Sequence, residues 1–418
     1  MAQDSHRAIE AVWRIEAPRL IAGLARVARD VDRAEDLAQD ALVAALEQWP
    51  ESGVPDNPGA WLMTTARRRA IDLVRRNERF ERKQEQLGRE LELTRDAPEA
   101  ENGDALLSLI FTACHPVLAT EGRVALTLRL VGGLTTEEIA RAYLAPTPTI
   151  AQRIVRAKRT LAEARVAFEV PSGAELAPRL GSVLEVIYLI FNEGYAATSG
   201  EEWIRPGLCE EALRLARVLA ELVPDEPEVH GLAALLELQA SRLRARVGAS
   251  GEPIRLVDQD RGRWDQLLIR RGLAALSRAE RRGGPRGPFV LQAAIAACHA
   301  RALSVGDTEW PRIAALYDAL AQLAPSPVVE LNRGVALAMA FGPATGLEVV
   351  DAIRDEPSLR QYHLLPAVRG DLLARLGRFD EARSEFLRAA ALTRNAREHD
   401  LLLERAASCG GESERRAS

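Results

Sequence analysis

Apolar positions along the chain repeat at intervals of three and four, the period of a helix with one buried face. Ile15, Leu20, Leu24 and Val27 form the first such row, and Leu37 to Trp49 carries a second. A charged corner, Asp30 to Asp36, lies between them. The run from Pro50 to Gly59 is crowded with Pro and Gly and predicts a loop. Trp61 to Arg76 then resumes as a basic helix. Residues 77–104 are charged and poor in large apolar side chains, which predicts an exposed helix fraying into a linker. Residues 105–168 predict a compact helical unit, and residues 169–174 a hinge. Everything after that is helical in pattern and rich in Ala and Leu.

The stretch from Leu134 to Leu161 is the most informative. Thr135 and Glu138 have the spacing of a capping box and predict a helix start. That helix should run to about Leu144, where Ala145-Pro146 breaks it. Thr147 as N-cap and Pro148 at the first helical position predict a second helix. Ile150, Ile154, Ala157 and Leu161 give it one apolar stripe, and Thr149, Gln152, Arg153, Arg156 and Arg159 lie opposite. No acidic residue occurs between Thr149 and Thr160. A short turn setting a basic second helix on a first is a geometry that reads DNA. Arg pairs bidentately with guanine, Gln with adenine, and Thr touches phosphate or a thymine methyl. A helical hairpin with a solvated basic face fits the same pattern.

The helix after Trp61 offers Arg67, Arg68, Arg69, Arg75 and Arg76 to phosphates, while Leu62, Ala66, Leu73 and Val74 can face a core. Trp61 stands at the junction of loop and helix. It reads equally as a stacking partner for an unstacked base and as a core anchor. Asp32, Glu35, Asp36 and Asp40 form an acidic helix end, either a solvated helix start or a docking face for a basic partner.

The rear of the chain is similar to itself. Leu219 to Pro224 is echoed by Leu320 to Pro325, and a Pro follows each, at Pro227 and Pro327. Arg333-Gly334 is echoed by Arg369-Gly370. From Leu372 to Ala389, small residues and Phe379 and Phe386 follow the tetratricopeptide order, in which small residues let paired helices approach and an aromatic fills the gap.

Composition changes little in this picture. With 418 residues, two to four domains are expected. Hydrophobic residues at 47%, charged residues at 28% and aromatics at 5% fit a helical globular chain. A net charge of −5 speaks against nucleic acid only globally, because such footprints are local. Cys114, Cys209, Cys298 and Cys409 are scattered, so a disulfide framework is not expected and a reducing cytoplasm is. No apolar run is long enough to span a bilayer. Cys114-His115 and Cys298-His299 lack zinc spacing, and no metal or cofactor is expected. For Asp258, Asp260 and Arg261, an ionic bridge buried between helical repeats is favoured over a metal or phosphate site.

Together these pieces resemble extracytoplasmic-function sigma factors of the sigma-70 family. Val31 to Asp40 resembles the acidic signature of sigma domain two. Trp61-Leu62 with the Arg-rich helix resembles the promoter-melting segment. Gly132 to Ala140 and the helix after it resemble sigma domain four. The resemblance covers roughly residues 8–168 and implies an all-α fold: a sigma domain two bundle, a helix-turn-helix domain four, and behind them a tetratricopeptide-like repeat domain. The implied divisions are 1–80 for domain two, 81–104 for a charged linker, 105–168 for domain four and 175–415 for the rear. In such a protein Glu35, Asp36, Leu37, Gln39 and Asp40 dock core RNA polymerase on the β′ clamp helices, with the β flap as a further contact. Trp61, Arg67, Arg68, Arg69, Arg75 and Arg76 read the −10 region. Thr149, Gln152, Arg153, Arg156 and Arg159 read the −35 element of promoter DNA.

The rear extension departs from most such factors. Its segments 191–195, 258–264 and 325–333 resemble the subgroup with a tetratricopeptide-like extension, which implies a regulatory protein or ligand there. The work implied is binding, not catalysis. A helix-turn-helix regulator acting without polymerase is the alternative, though it has no need of the acidic helix near Asp36 and Asp40. An enzyme in the rear domain would rest only on Asn192-Glu193 and Asp258 to Trp264.

Overall fold

A computed structural model describes every residue except 1, 29, 78–98, 144, 198, 249–250, 282–285 and 418; for 2–8, 10–11, 14, 27, 70–77, 99–104, 141, 199–200 and 411–417 it describes the backbone but not the side chains. The chain forms two compact units, residues 1–189 and 190–418. Both are built of helices, and the fold is all-α.

In the first unit, α1 (Ala2–Ala28), α2 (Val31–Ser52) and α3 (Pro58–Asn77) pack on one another. Asp30 starts α2 by accepting the N–H groups of Asp32 and Arg33 at 2.9 and 3.2 Å. Ala34, Leu37, Ala38, Ala41 and Ala45 form its buried face, small enough for close approach to α1. The breaker run is a shorter loop than predicted, because α2 continues through Pro50. Pro50 falls in the last turn, where one missing N–H is tolerated. Buried Trp49 anchors that turn, and Gly53, at φ +81°, closes it with an N–H bond to the Trp49 carbonyl at 2.9 Å.

Helix α4 (Glu99–Ala113) packs on α1, so regular structure begins inside the segment predicted as linker. The rest of that segment, 78–98, lies outside the described residues. Then follow α5 (Thr120–Leu130), α6 (Thr136–Ala142) and α7 (Thr147–Glu163). Gly133, at φ +68°, makes the left-handed turn after α5, and the Leu134 N–H returns to the Leu128 carbonyl at 3.1 Å. The expected capping box is formed: the Thr135 N–H donates to Glu138 Oε2 at 2.8 Å, and the Glu138 N–H to Thr135 Oγ1 at 3.1 Å. One detail differs from expectation. Pro146, not Thr147, occupies the cap of α7, with no side-chain cap bond. Pro148 presets the backbone in the first turn and has no N–H to satisfy, so the helix opens without that bond.

The first half of α8 (Leu176–Tyr195) belongs to this unit too. Arg179 donates to the Phe111 carbonyl at 3.0 Å and Ser182 Oγ to the Cys114 carbonyl at 2.6 Å. These bonds satisfy carbonyls at the end of α4 and carry the compact unit past the 169–174 segment.

The second unit contains the rest of α8, then α9 (Pro206–Leu222), α10 (Pro227–Ala240), α11 (Gln266–Arg281), α12 (Pro288–Arg301), α13 (Trp310–Leu323), α14 (Pro327–Phe341), α15 (Pro343–Ala352), α16 (Leu364–Arg375), α17 (Phe379–Leu392) and α18 (Ala396–Ala417). Helices adjacent in sequence pack pairwise along it. The sequence echo is an echo of structure: Val223 and Ala324 close α9 and α13 with the same bond, to Leu219 and Leu320, each at 2.8 Å. At Gly370 a Cβ would lie 2.9 Å from the Phe386 ring, so only hydrogen lets α16 reach α17 there. Arg369 beside it is buried and bonded to Asp351 at 2.7 Å and Glu385 at 2.8 Å, joining α15, α16 and α17. A two-residue parallel ladder, β1 (Ser199–Gly200) with β2 (Arg394–Asn395), links the start of the unit to its last hairpin. Buried Asn395 adds bonds to the carbonyls of Ala197 and Glu202 at 3.3 and 2.8 Å.

Candidate nucleic-acid interface

Helix α7 buries Ile150, Ile154, Ala157 and Leu161, the predicted stripe. Thr149, Gln152, Arg153 and Arg156 line one groove of about 360 Å³, floored by Leu118 and Gly122. Gln152 and Arg156 are exposed, Thr149 and Arg153 half-buried. Arg159 does not join them. It lines a different groove with Asp30 and Asp32, and pairs one helical turn on with Glu163 at 2.7 Å. The four convergent side chains match the donor and acceptor types that read base edges and phosphates.

In α3, Leu62 and Ala66 are buried as expected. Trp61 is half-buried against Trp49, ring edge to face at 5.2 Å, which satisfies the core-anchor reading and leaves part of the indole at the surface. Asn57 fixes this corner, its Oδ1 accepting from the Ala60 N–H at 3.0 Å. Arg68 is exposed and Arg67 half-buried. Arg69 pairs with Asp40 of α2 at 3.4 Å, joining residues expected to serve two different partners. The side chains of Arg75 and Arg76 lie outside those described.

The acidic face of α2 divides. Asp36 and Gln39 are exposed. Leu37 is core, and Glu35 is only 4% exposed. Glu35 is held by Arg129 of α5 and Lys158 of α7, each at 2.7 Å, and accepts from Gln39 at 3.0 Å. Lys158 also reaches Asp32 at 2.6 Å. Burial alone would raise the Glu35 carboxyl, but Lys158 and Arg129 outweigh it and hold it below the ordinary carboxylate range. Burial would lower the Lys158 amine, but Glu35 and Asp32 raise it. Partial burial and the charges of Asp32, Glu35 and Asp40 push the Asp36 carboxyl up, against the pull of Lys158. The clasp on α2 was not legible beforehand, since Arg129 lies 94 positions from Glu35 and Lys158 lies 126 positions from Asp32.

The ionic bridge expected at Asp258, Asp260 and Arg261 is not formed. Asp258 pairs with Arg255 at 2.6 Å, and Asp260 accepts the Gly262 N–H at 2.9 Å. Arg261 instead donates to the carbonyls of His299 and Ala302 at 2.7 and 2.8 Å, the open end of α12. Helix ends demand such donors, which is why Arg261 turns away from its acidic neighbours. All four cysteines are buried and unpaired. Among the described residues no group of His, Cys, Asp and Glu could hold a metal ion, and no helix is long and apolar enough to cross a membrane.

Residues 13–80 match sigma-70 region 2, the segment that holds α2 and α3. Residues 179–280 match a family of unknown function, DUF6596. An uncharacterized protein of Rhizobium meliloti (strain 1021) is 44% identical over 387 residues, covering 91% of this chain and 91% of its own.

Proposed function

The chain belongs to the sigma-70 family, as a sigma factor of transcription initiation, and from that premise we propose that it binds core RNA polymerase and directs it to specific promoters. In this reading residues 1–80 act as domain two, 81–104 as linker, 105–168 as domain four and 175–415 as a tetratricopeptide-like regulatory domain. Thr149, Gln152, Arg153 and Arg156 read the −35 element, with Arg159 at the margin. Trp61 and the arginines of α3 hold the −10 region. Asp36, Gln39 and Asp40 make the first contact with the β′ clamp helices, and Glu35 joins them once released. The observation that carries the reading is the convergence of Thr149, Gln152, Arg153 and Arg156 on one groove of α7, the second helix of a pair whose first helix, α6, is opened by a capping box.

The Glu35–Lys158 clasp gives this reading a resting state. It ties the polymerase-docking helix α2 to the recognition helix α7. Engagement of polymerase then requires α7 to leave α2. Core enzyme repays the lost ion pairs with its own cations, and the two readers separate to span a promoter.

Run-off transcription with core polymerase tests the proposal, alongside a pull-down of core by the full chain. Core association and a defined start site are expected. Absence of association leaves a DNA-binding regulator that acts without polymerase. A chain ending after Leu189 keeps the Arg179 and Ser182 bonds of the first unit, and its activity against the full chain reads what the rear domain does.

A further inference from the structure

In the second unit three arginines alternate with three aromatic rings. Arg246 lies 3.7 Å from the Tyr195 ring centre and 5.5 Å from that of Trp203. Arg242 lies 5.9 Å from Tyr195 and 5.8 Å from Trp264, and Arg261 lies 4.8 Å from Trp264. The local sequence builds this ladder. Gly194 lets α8 approach the start of α9, where a Cβ would stand 2.7 Å from the Cys209 nitrogen, and so sets the position of Tyr195. Arg242 is only 9% exposed, while Arg246, Arg261 and Tyr195 keep a partly open side.

Among the described residues none of the three guanidiniums has a carboxylate partner. Arg242 donates to the Tyr195 hydroxyl at 2.7 Å and to Gln239, Arg246 to the Tyr195 carbonyl at 3.0 Å, and Arg261 to two carbonyls and Thr308. Among the described residues the Nε of each is buried without a hydrogen-bond partner, as is Nδ1 of His299. Elsewhere in this unit Arg205, Arg217, Arg333, Arg369 and Arg405 are each matched by Glu or Asp. Buried cations without a counter-ion are unfavourable, and ring faces return only part of that cost. Burial, with Arg242 and Arg261 beside it, pushes the His299 ring down to about 3, so the imidazole stays neutral and adds no further charge. The acid whose charge reaches Arg261, Asp307, is itself occupied in bonding Ser304.

We propose that Arg242, Arg246 and Arg261, with Tyr195 and Trp264, form a binding site for a small phosphate-bearing anion. Planar forks match a tetrahedral oxyanion, and three uncompensated positive charges favour a phosphate dianion over a single carboxylate. Tyr195, Trp203, Trp264 and the three arginines all lie inside the 179–280 match. It depends on the second unit alone and not on promoter reading.

The test is titration of the full chain, free of DNA, with inorganic phosphate and with pyrophosphate, followed by calorimetry and thermal unfolding. Saturable binding and a raised unfolding temperature are expected. Arg242→Gln and Arg246→Gln should each weaken binding at least tenfold, while Arg333→Gln, on a half-buried and acid-paired residue, leaves it unchanged. Arg153→Ala should also leave it unchanged, which separates this site from the candidate DNA groove. Hydrogen exchange on the unaltered chain supplies evidence free of folding artefacts: the anion should protect 195–203 and 242–264. No saturable binding of either probe overturns the proposal, as does protection confined to the first unit or binding that survives both glutamine variants.

Discussion

Each unit holds one cluster of buried charge, and the two clusters are built in opposite ways. In the first, a buried carboxylate, Glu35, is enclosed by Lys158 and Arg129 and leaves little unsatisfied. In the second, Arg242, Arg246 and Arg261 are enclosed by rings, hydroxyls and carbonyls, with no anion among them. The first arrangement is complete in itself, so work is needed to open it. The second is incomplete, and a ligand from outside completes it. A charge that is matched marks a contact to be broken; one that is unmatched marks a contact to be made.

The sharpest way to break the comparison is Glu35→Ala. Removing it leaves Lys158 and Arg129 facing each other, and unfolding of the first unit in urea should lose about 3 kcal/mol, the low end for a broken buried pair because both cations keep some water. An unaltered midpoint would mean the clasp carries no stability. On the neighbouring face of α7, Arg153→Ala and Arg156→Ala should each weaken −35 binding by about 1–3 kcal/mol if the contacts are bidentate, read by fluorescence anisotropy. Unchanged affinity in both removes the recognition-helix assignment.

Acid should open the clasp more gently. The Glu35 carboxyl is lowered, so its contribution is complete above the ordinary carboxylate range and is lost as pH falls through the lowered value. Lys158 is raised, so its contribution is complete below the ordinary amine range and is lost only in strong alkali, as pH rises through the raised value. The first unit's unfolding midpoint should therefore fall as pH drops below the ordinary carboxylate range and through the lowered Glu35 value, and less so in Glu35→Gln.

Smaller still is the expected cost of Arg246→Gln without added anion. Lost contact with Tyr195 and Trp203 is offset by relief of charge beside Arg242, leaving stability within about 1 kcal/mol by chemical denaturation. A large loss would make the ladder a structural brace. Arg159→Ala comes last: its exposed pair with Glu163 should leave the thermal midpoint where it is.

Much of this protein is local and could be read in order along the chain. The stripe of α7, the Thr135–Glu138 capping box and the paired helix ends at Val223 and Ala324 depend on residues within a few positions of each other. The helix at Trp61 was legible for the same reason, and the tie of Trp61 to Trp49 follows from two helices joined by a short loop. Pro50 was misread as a break because its tolerance depends on where a turn ends, which the burial of Trp49 decides.

Composition, spacing and turn chemistry alone determined that the chain is helical, where its basic helices begin, and which side chains of α7 face outward. Only the folded arrangement decided that Glu35 faces Lys158 and Arg129, that Arg261 turns to the end of α12, and that three arginines share their rings in place of acids. The reason is range. Helical periodicity and capping act over one or two turns, whereas the partner of a buried charge is chosen by whichever distant helix arrives at that face, and no pattern in the chain records that choice.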